Sequence, residues 1–257
     1  MGELYPNIKA SQPTDGKRRP PGQGRHRVVL EFLTMKERPL LVLASNSPRR
    51  RELIALAGLP FETIVPDVDE SLLPGEAPRD YVRRLAVTKA RAASPRADAS
   101  QVILAADTAV VDGDAVLGKP ADPSDATRML RQLRGRVHQV FTGIAVLRVR
   151  DGSLAADVCV TDVPMRAYGD DEIEAYVRTG DPLDKAGAYA IQHPRFQPVA
   201  SMSGCYASVM GLPLCHAARL LSQMEAAPRA DVPSNCQSFL KYNCPVYEEI
   251  LAPQRAE

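Results

Sequence analysis

Tryptophan is absent from this sequence and aromatic residues make up only 5% of it. No apolar run approaches the ~18–20 residues that cross a bilayer, so no membrane-spanning helix is expected. The N-terminus lacks the apolar core, about 7–15 residues long, of a secretory signal, and a cytoplasmic location follows as the expectation. The five cysteines, Cys159, Cys205, Cys215, Cys236 and Cys244, include no Cys-x-x-Cys pair and no histidine stands at zinc-ligand spacing. Neither a disulfide scaffold nor a zinc site is expected, and a reducing compartment fits. A charge excess is missing too: 32 Lys+Arg stand against 31 Asp+Glu. That balance argues against a protein binding nucleic acid over its whole surface. The phosphate loop Gly-x-x-x-x-Gly-Lys-Ser/Thr does not occur, and no internal repeat is present.

What the sequence does contain is 257 residues, 45% of them hydrophobic, enough for one large domain or two lobes without covalent staples. The charge balance averages unlike pieces. Residues 1–38 hold eight basic and four acidic residues, which leaves a body of net charge −3. With Pro6, Pro13, Pro20 and Pro21 among them, they read as a disordered basic extension, and Met35 is a plausible alternative start. Residues 39–225 read as the folded domain, and residues 226–257 as a C-terminal extension whose Cys236 and Cys244 are expected as surface thiols on a loose tail.

Leu40–Ala44 is a continuous apolar run, the pattern of a strand buried on both faces. Ser47-Pro48 then reads as N-cap and first turn of a helix through Ala57, stopped by Gly58. A strand over Phe61–Val65 leads into the acidic loop around Asp69-Glu70, and a helix over Pro78–Ala93 carries Tyr81, Val82, Leu85, Ala86 and Lys89 on one stripe. Val102–Ala106 predicts a strand ending at Asp107, followed by a hairpin at Asp112-Gly113 and a helix from Asp122-Pro123 to Gly135. Strands over Val137–Arg150 and Leu154–Arg166, a helix capped by Asp170, a small-residue strand over Gly187–Ile191 and a helix over Leu214–Met224 complete an α/β fold around a mixed sheet.

Chemistry is expected where strands end. Ser45-Asn46-Ser47-Pro48-Arg49-Arg50 joins a buried strand to a helix N-terminus, whose free N–H groups and dipole favour an anion. Arg49 and Arg50 are disfavoured at that end unless something negative compensates, and a polyphosphate would; a plain cap with solvated arginines is the alternative. A carboxylate at Asp107, emerging from an apolar strand, is desolvated unless it meets a cation or metal. Lys89 either snorkels outward or aims its ammonium into a cleft. Lys119, in Gly118-Lys119-Pro120, and Lys185 add cations near strand ends, and Asp69 and Glu70 add oxygen donors suited to a hard cation.

In order, Leu43–Arg50, Asp69-Glu70, Leu85–Ala90, Ala106-Asp107-Thr108, Leu117–Pro120, Gly135–His138 with Thr142-Gly143, Asp184–Gln192 and Gly211-Leu212-Pro213 resemble the Maf family of nucleoside triphosphate pyrophosphatases. The resemblance runs from Leu41 to about Leu220. It implies a mixed sheet like that of the inosine triphosphatases, flanked by helices, with two lobes about a cleft, and a homodimer. It implies cleavage between the α- and β-phosphates of a nucleotide with Mg²⁺ or Mn²⁺. On that footing Asp107 is general base or metal ligand, Glu70 its acidic and metal-binding partner, and Lys89 and Lys119 neutralise phosphates. Ser45, Ser47 and Arg50 would bind substrate together with Lys185. Lys185-Ala186-Gly187-Ala188-Tyr189-Ala190-Ile191-Gln192 looks like the branch acting on dTTP and UTP, with Arg49, Thr108 and Gln192 tuning the choice. His193-Pro194-Arg195 departs from the family's Gly-x-Gly. Neither a membrane nor a stable nucleic-acid partner is implied. The family's association with arrest of septum formation keeps a nucleotide-binding regulator as the alternative function.

Overall fold

The computed structural model describes residues 40–252, so the basic extension and Met35 lie outside the described residues. Strands β1 (Leu41–Leu43), β2 (Phe61–Thr63), β3 (Val102–Asp112), β4 (Ala115–Leu117), β5 (Val137–Arg148) and β6 (Leu154–Pro164) form one mixed sheet in the order β2-β1-β3-β5-β6, with β4 paired to β3. β1 runs parallel to β2 and β3, while β3, β5 and β6 are antiparallel. The helices are α1 (Pro48–Ala55), α2 (Pro78–Ala93), α3 (Pro123–Leu133), α4 (Asp170–Val177), α5 (Tyr206–Met210), α6 (Leu214–Gln223), α7 (Val232–Leu240) and α8 (Tyr247–Leu251).

Alternation along the strands sorts the core into layers. Leu41, Leu43, Val102, Leu104 and Ala106 face the larger core with residues of α1, α3 and α6. Val42, Ile103 and Ala105 face the opposite side, where α2 brings Ala86, Ala90 and Ala93. Val82, Leu85, Ala86, Lys89 and Ala90 of α2 are buried at helical spacing against the sheet. Its close approach depends on Gly143 of β5, where a Cβ would lie 2.3 Å from the Val82 carbonyl oxygen.

Four expectations are corrected. Asp107 does not end its strand, because β3 continues to Asp112 through unbroken pairing with β5. Gly187–Ile191 is not a strand: Gly187 and Ala188 take φ of 68° and 60°, outside extended geometry, and a Cβ at Gly187 would meet Val110 at 2.9 Å. Helix α4 is capped at Gly169 rather than Asp170, the Glu172 carboxylate accepting from the Gly169 N–H at 2.9 Å. The tail is not loose either. Arg229 and Ala230 donate backbone bonds to the Ala57 carbonyl, and Cys236 is buried.

One consequence of the topology positions the site. β1 pairs with β3 only as far as Leu104, and β4 joins the same edge from Val110 onward. Between them, residues 105–109 of β3 have no strand partner on that edge, and a cleft opens in the gap.

Candidate active site

The cleft encloses about 580 Å³, within the range of small-molecule sites. Its walls include eleven of the residues singled out in the sequence: Ser45, Ser47, Arg49 and Arg50 at the start of α1; Glu70, Lys89, Asp107 and Thr108; and Lys119, Lys185 and Gln192. Because neighbours on a strand point to opposite faces, Asp107 turns toward α2 and Thr108 toward α5, and only a gap at the strand edge lets both reach one cavity.

On the α2 side, the Lys89 ammonium donates to Asp107 Oδ1 at 2.5 Å and meets Glu70 Oε1 at 2.7 Å. Lys89 therefore takes the cleft-facing of its two sequence alternatives. Its helix also holds the acidic loop: the Tyr81 hydroxyl donates to the Glu70 carbonyl at 2.9 Å, and Arg84 grips Glu76 and the Ser71 carbonyl. Asp69 caps Ser71 N–H at 2.9 Å and does not join the cleft. Burial pushes the Asp107 carboxyl above its ordinary range, while Lys89 and then Arg50 pull it back.

The other face carries a chain of hydrogen bonds. Arg50 donates from Nε to the Gly211 carbonyl at 2.8 Å and from its two terminal nitrogens to Ser45 Oγ at 3.4 Å and Thr108 Oγ1 at 3.1 Å. The Thr142 hydroxyl donates to the Ser208 carbonyl at 2.9 Å, so in the 3.0 Å contact between Thr108 and Thr142 the proton belongs to Thr108. Every Arg50 partner is neutral, and among the described residues it has no ion pair; its charge is left for a ligand. Burial lowers the Arg50 pKa from its ordinary value, with Asp107 opposing. Ser47 caps α1 by accepting the Arg50 N–H.

The lysines part company here. Lys119 is exposed and, among the described residues, has no ion pair. Lys185 donates to the Asp181 carbonyl and side chain at 2.6 and 3.0 Å and to Asp184 at 2.6 Å, so its charge is already answered within the chain. His193, Pro194 and Arg195 do not line the cleft. His193 instead packs at a tilt against Tyr176, with ring centroids 4.7 Å apart, and its Nδ1 accepts from the Phe196 N–H at 3.0 Å, anchoring a turn behind Gln192. Sequence reasoning missed the pairing of Thr142 with Thr108 and the part of α5 and the Gly211 carbonyl in holding Arg50; these join residues far apart in the chain.

The family model described as "Maf-like protein" matches residues 40–224. The dTTP/UTP pyrophosphatase of Anaeromyxobacter dehalogenans (strain 2CP-C) is 52% identical over 186 residues, covering 71% of this chain and 93% of that protein. The dTTP/UTP pyrophosphatase of Geobacter sulfurreducens is 48% identical over 191 residues, covering 74% and 99% respectively. Among solved structures, the Staphylococcus aureus Ham1 protein aligns with a TM-score of 0.36 and 15% identity, over 62% of this chain and 90% of that one.

Proposed function

We propose, from the premise that the chain belongs to the Maf family, that it is a nucleoside triphosphate pyrophosphatase acting on dTTP and UTP. The products are the nucleoside monophosphate and pyrophosphate. The observation that carries the reading is the convergence of a buried carboxylate, Asp107, a second, exposed one, Glu70, and several cations on one cleft.

Asp107 serves as the base that takes a proton from the attacking water. Lys89 holds Asp107 and Glu70 in register. Arg49, Arg50, Lys119 and the start of α1 supply positive charge where charge accumulates on the phosphates. Lys185, bound to Asp181 and Asp184, shapes the wall beside Gln192 more than it neutralises phosphate. Gln192 offers a pyrimidine edge both a donor and an acceptor.

The donor set fits Mg²⁺ or Mn²⁺. Asp107 and Glu70 are hard oxygen donors that both reach the Lys89 ammonium, and they would hold the cation beside it. Among the described residues no third acidic, histidine or cysteine side chain completes a cluster, so phosphate oxygens and water would supply the remaining ligands. When bound, the cation would neutralise phosphate charge and polarise the bond to be cleaved. Among the described residues no helix is long and apolar enough to cross a membrane; a cytoplasmic homodimer completes the proposal.

The test is a panel of nucleoside triphosphates scored for pyrophosphate release. Turnover of dTTP and UTP above purine nucleotides is expected, silenced by chelation and restored by Mg²⁺ or Mn²⁺. Asp107→Asn should reduce turnover by about 10²–10⁴-fold, the usual contribution of a general base, with thermal melting still cooperative. Undiminished turnover in that variant, or none of any nucleotide by the wild type, would overturn the reading.

A further inference from the structure

The family match ends at residue 224, yet the chain continues into α7 and α8. Among the described residues none beyond Gly211 lines the cleft. The tail instead holds the far ends of the two helices that fix Arg50. Arg50 stands in the first turn of α1 and donates to the carbonyl of Gly211, the residue that closes α5. At the cleft, therefore, the N-terminal end of α1 meets the C-terminal end of α5. The tail meets both helices at their opposite ends.

The last carbonyls of a helix have no partner within it. At the end of α1 the Leu56 carbonyl accepts from Asn235 Nδ2 at 3.1 Å, and the Ala57 carbonyl accepts from the Arg229 and Ala230 N–H groups at 3.0 and 3.3 Å. A Cβ at Gly58 would lie 3.0 Å from the Ala230 side chain, so the two stretches pack closely. Asp231 then caps α7, whose Val232 and Cys236 are buried in the larger core. Lys241 ends α7 in left-handed geometry, at φ of 50°, and turns the chain back. Tyr242 is thereby set beside the approach to α5. Its hydroxyl donates to the Gly204 carbonyl at 2.9 Å, with the Met202 carbonyl 3.2 Å from the same oxygen. Its ring lies 5.5 Å from that of Tyr206, the first residue of α5.

We propose that residues 229–242 act as a strap that fixes α1 against α5, and that Asn235 and Tyr242 are positioning residues for Arg50 in nucleotide binding. Tyr242 holds Gly204, just before the Cys205 N-cap of α5, and the Gly211 carbonyl at the other end of that short helix accepts from Arg50. Asn235 holds Leu56, the C-cap of the helix that carries Arg50. With the strap released, the two helices shift against each other, and binding free energy goes into fixing the guanidinium again. The effect is modest, because Thr142 holds the Ser208 carbonyl of α5 independently. It falls on binding rather than on the chemical step, since Asp107, Glu70 and Lys89 bond one another on the opposite face of the sheet.

The experiment is steady-state kinetics on the full chain carrying Asn235→Ala and Tyr242→Phe together. Its control is Tyr247→Phe, which removes a tail hydroxyl that bonds Glu248 in its own helix. KM for dTTP should rise about threefold in the strap variant with kcat unchanged, the scale on which a residue modulates a site without touching its ligand. Tyr247→Phe should keep the parent KM. In an Arg50→Lys background the strap substitutions should raise KM no further, because they act through the guanidinium. Amide hydrogen exchange without nucleotide gives a second reading: residues 50–57 and 206–211 should exchange faster in the strap variant than in Tyr247→Phe. An unchanged KM beside a lower melting temperature would mean that the tail only adds stability, and overturns the proposal. So does an undiminished KM effect in the Arg50→Lys background, or equal exchange in α1 and α5. The kinetic arm rests on the pyrophosphatase reading; exchange is read whether or not a nucleotide is turned over, so the two can fail separately.

Discussion

Arg49 and Arg50 are indistinguishable as neighbours in a basic tract, yet the fold gives them different work. Arg50 reaches back across the chain to Gly211 and sideways to Thr108, so its guanidinium is fixed before any ligand arrives. Lysine cannot reproduce that fork, since its single ammonium lacks the planar spread of donors. Arg50→Lys is expected to raise KM for dTTP by about tenfold, the equivalent of one lost charge-assisted bond, with kcat less affected. Steady-state kinetics decide it, and an unchanged KM would remove Arg50 from the binding role. The lysines carry the same lesson. Lys119 and Lys185 look alike in sequence, each within two residues of a glycine, but only the second has Asp181 and Asp184 around its ammonium. Residue types at strand ends were legible as a phosphate site; which cations stay available was not, because that depends on partners brought together by folding.

At the scale of elements, the apolar runs and cap signals predicted most of the sheet and helices, since Ser47, Asp122 and the glycines act on their immediate neighbours. Failures came where distant chain overrides local preference. Nothing near Asp107 announces that β3 continues, because β5 supplies the pairing from some thirty-five residues on. Small residues at 187–191 read as strand, yet Val110 leaves no space for a Cβ at Gly187 and the chain turns left-handed instead. Gly143 is the same kind of feature with a functional consequence. It faces α2 opposite Asp107 in the ladder, and Val82 lies seven residues before Lys89 on the same stripe. Gly143→Ala must push α2 outward and carry Lys89 with it. Overpacking of this kind costs about 1–3 kcal/mol, so a lower melting temperature and weaker turnover are expected together. A variant as stable and active as the parent would show that α2 does not set the Lys89 position through this contact.

For the whole molecule, burial couples histidine protonation to folding. His138 on β5 is buried, with Nε2 2.8 Å from the Tyr189 hydroxyl, and among the described residues Nδ1 has no hydrogen-bond partner. Charging the ring would bury an unpaired N–H donor as well as a charge, and burial accordingly holds His138 down to about 4, against an ordinary 6.5. Below 6.5 the unfolded chain takes up a proton that the fold refuses. The stability gained by keeping the ring neutral is therefore complete above 6.5 and is lost as pH falls toward 4, a swing on the order of 3 kcal/mol. The raised Asp107 pKa acts in the opposite sense, since the folded state holds that proton more readily, so the bare acid limb of the wild type mixes the two. Comparison with His138→Gln separates them, because Asp107 is common to both proteins and glutamine does not titrate. Urea midpoints measured from pH 7 to pH 4 should fall more steeply for the wild type than for the variant. Parallel curves would mean that His138 is protonated inside the fold at little cost, and that the Tyr189 contact does not depend on a neutral ring.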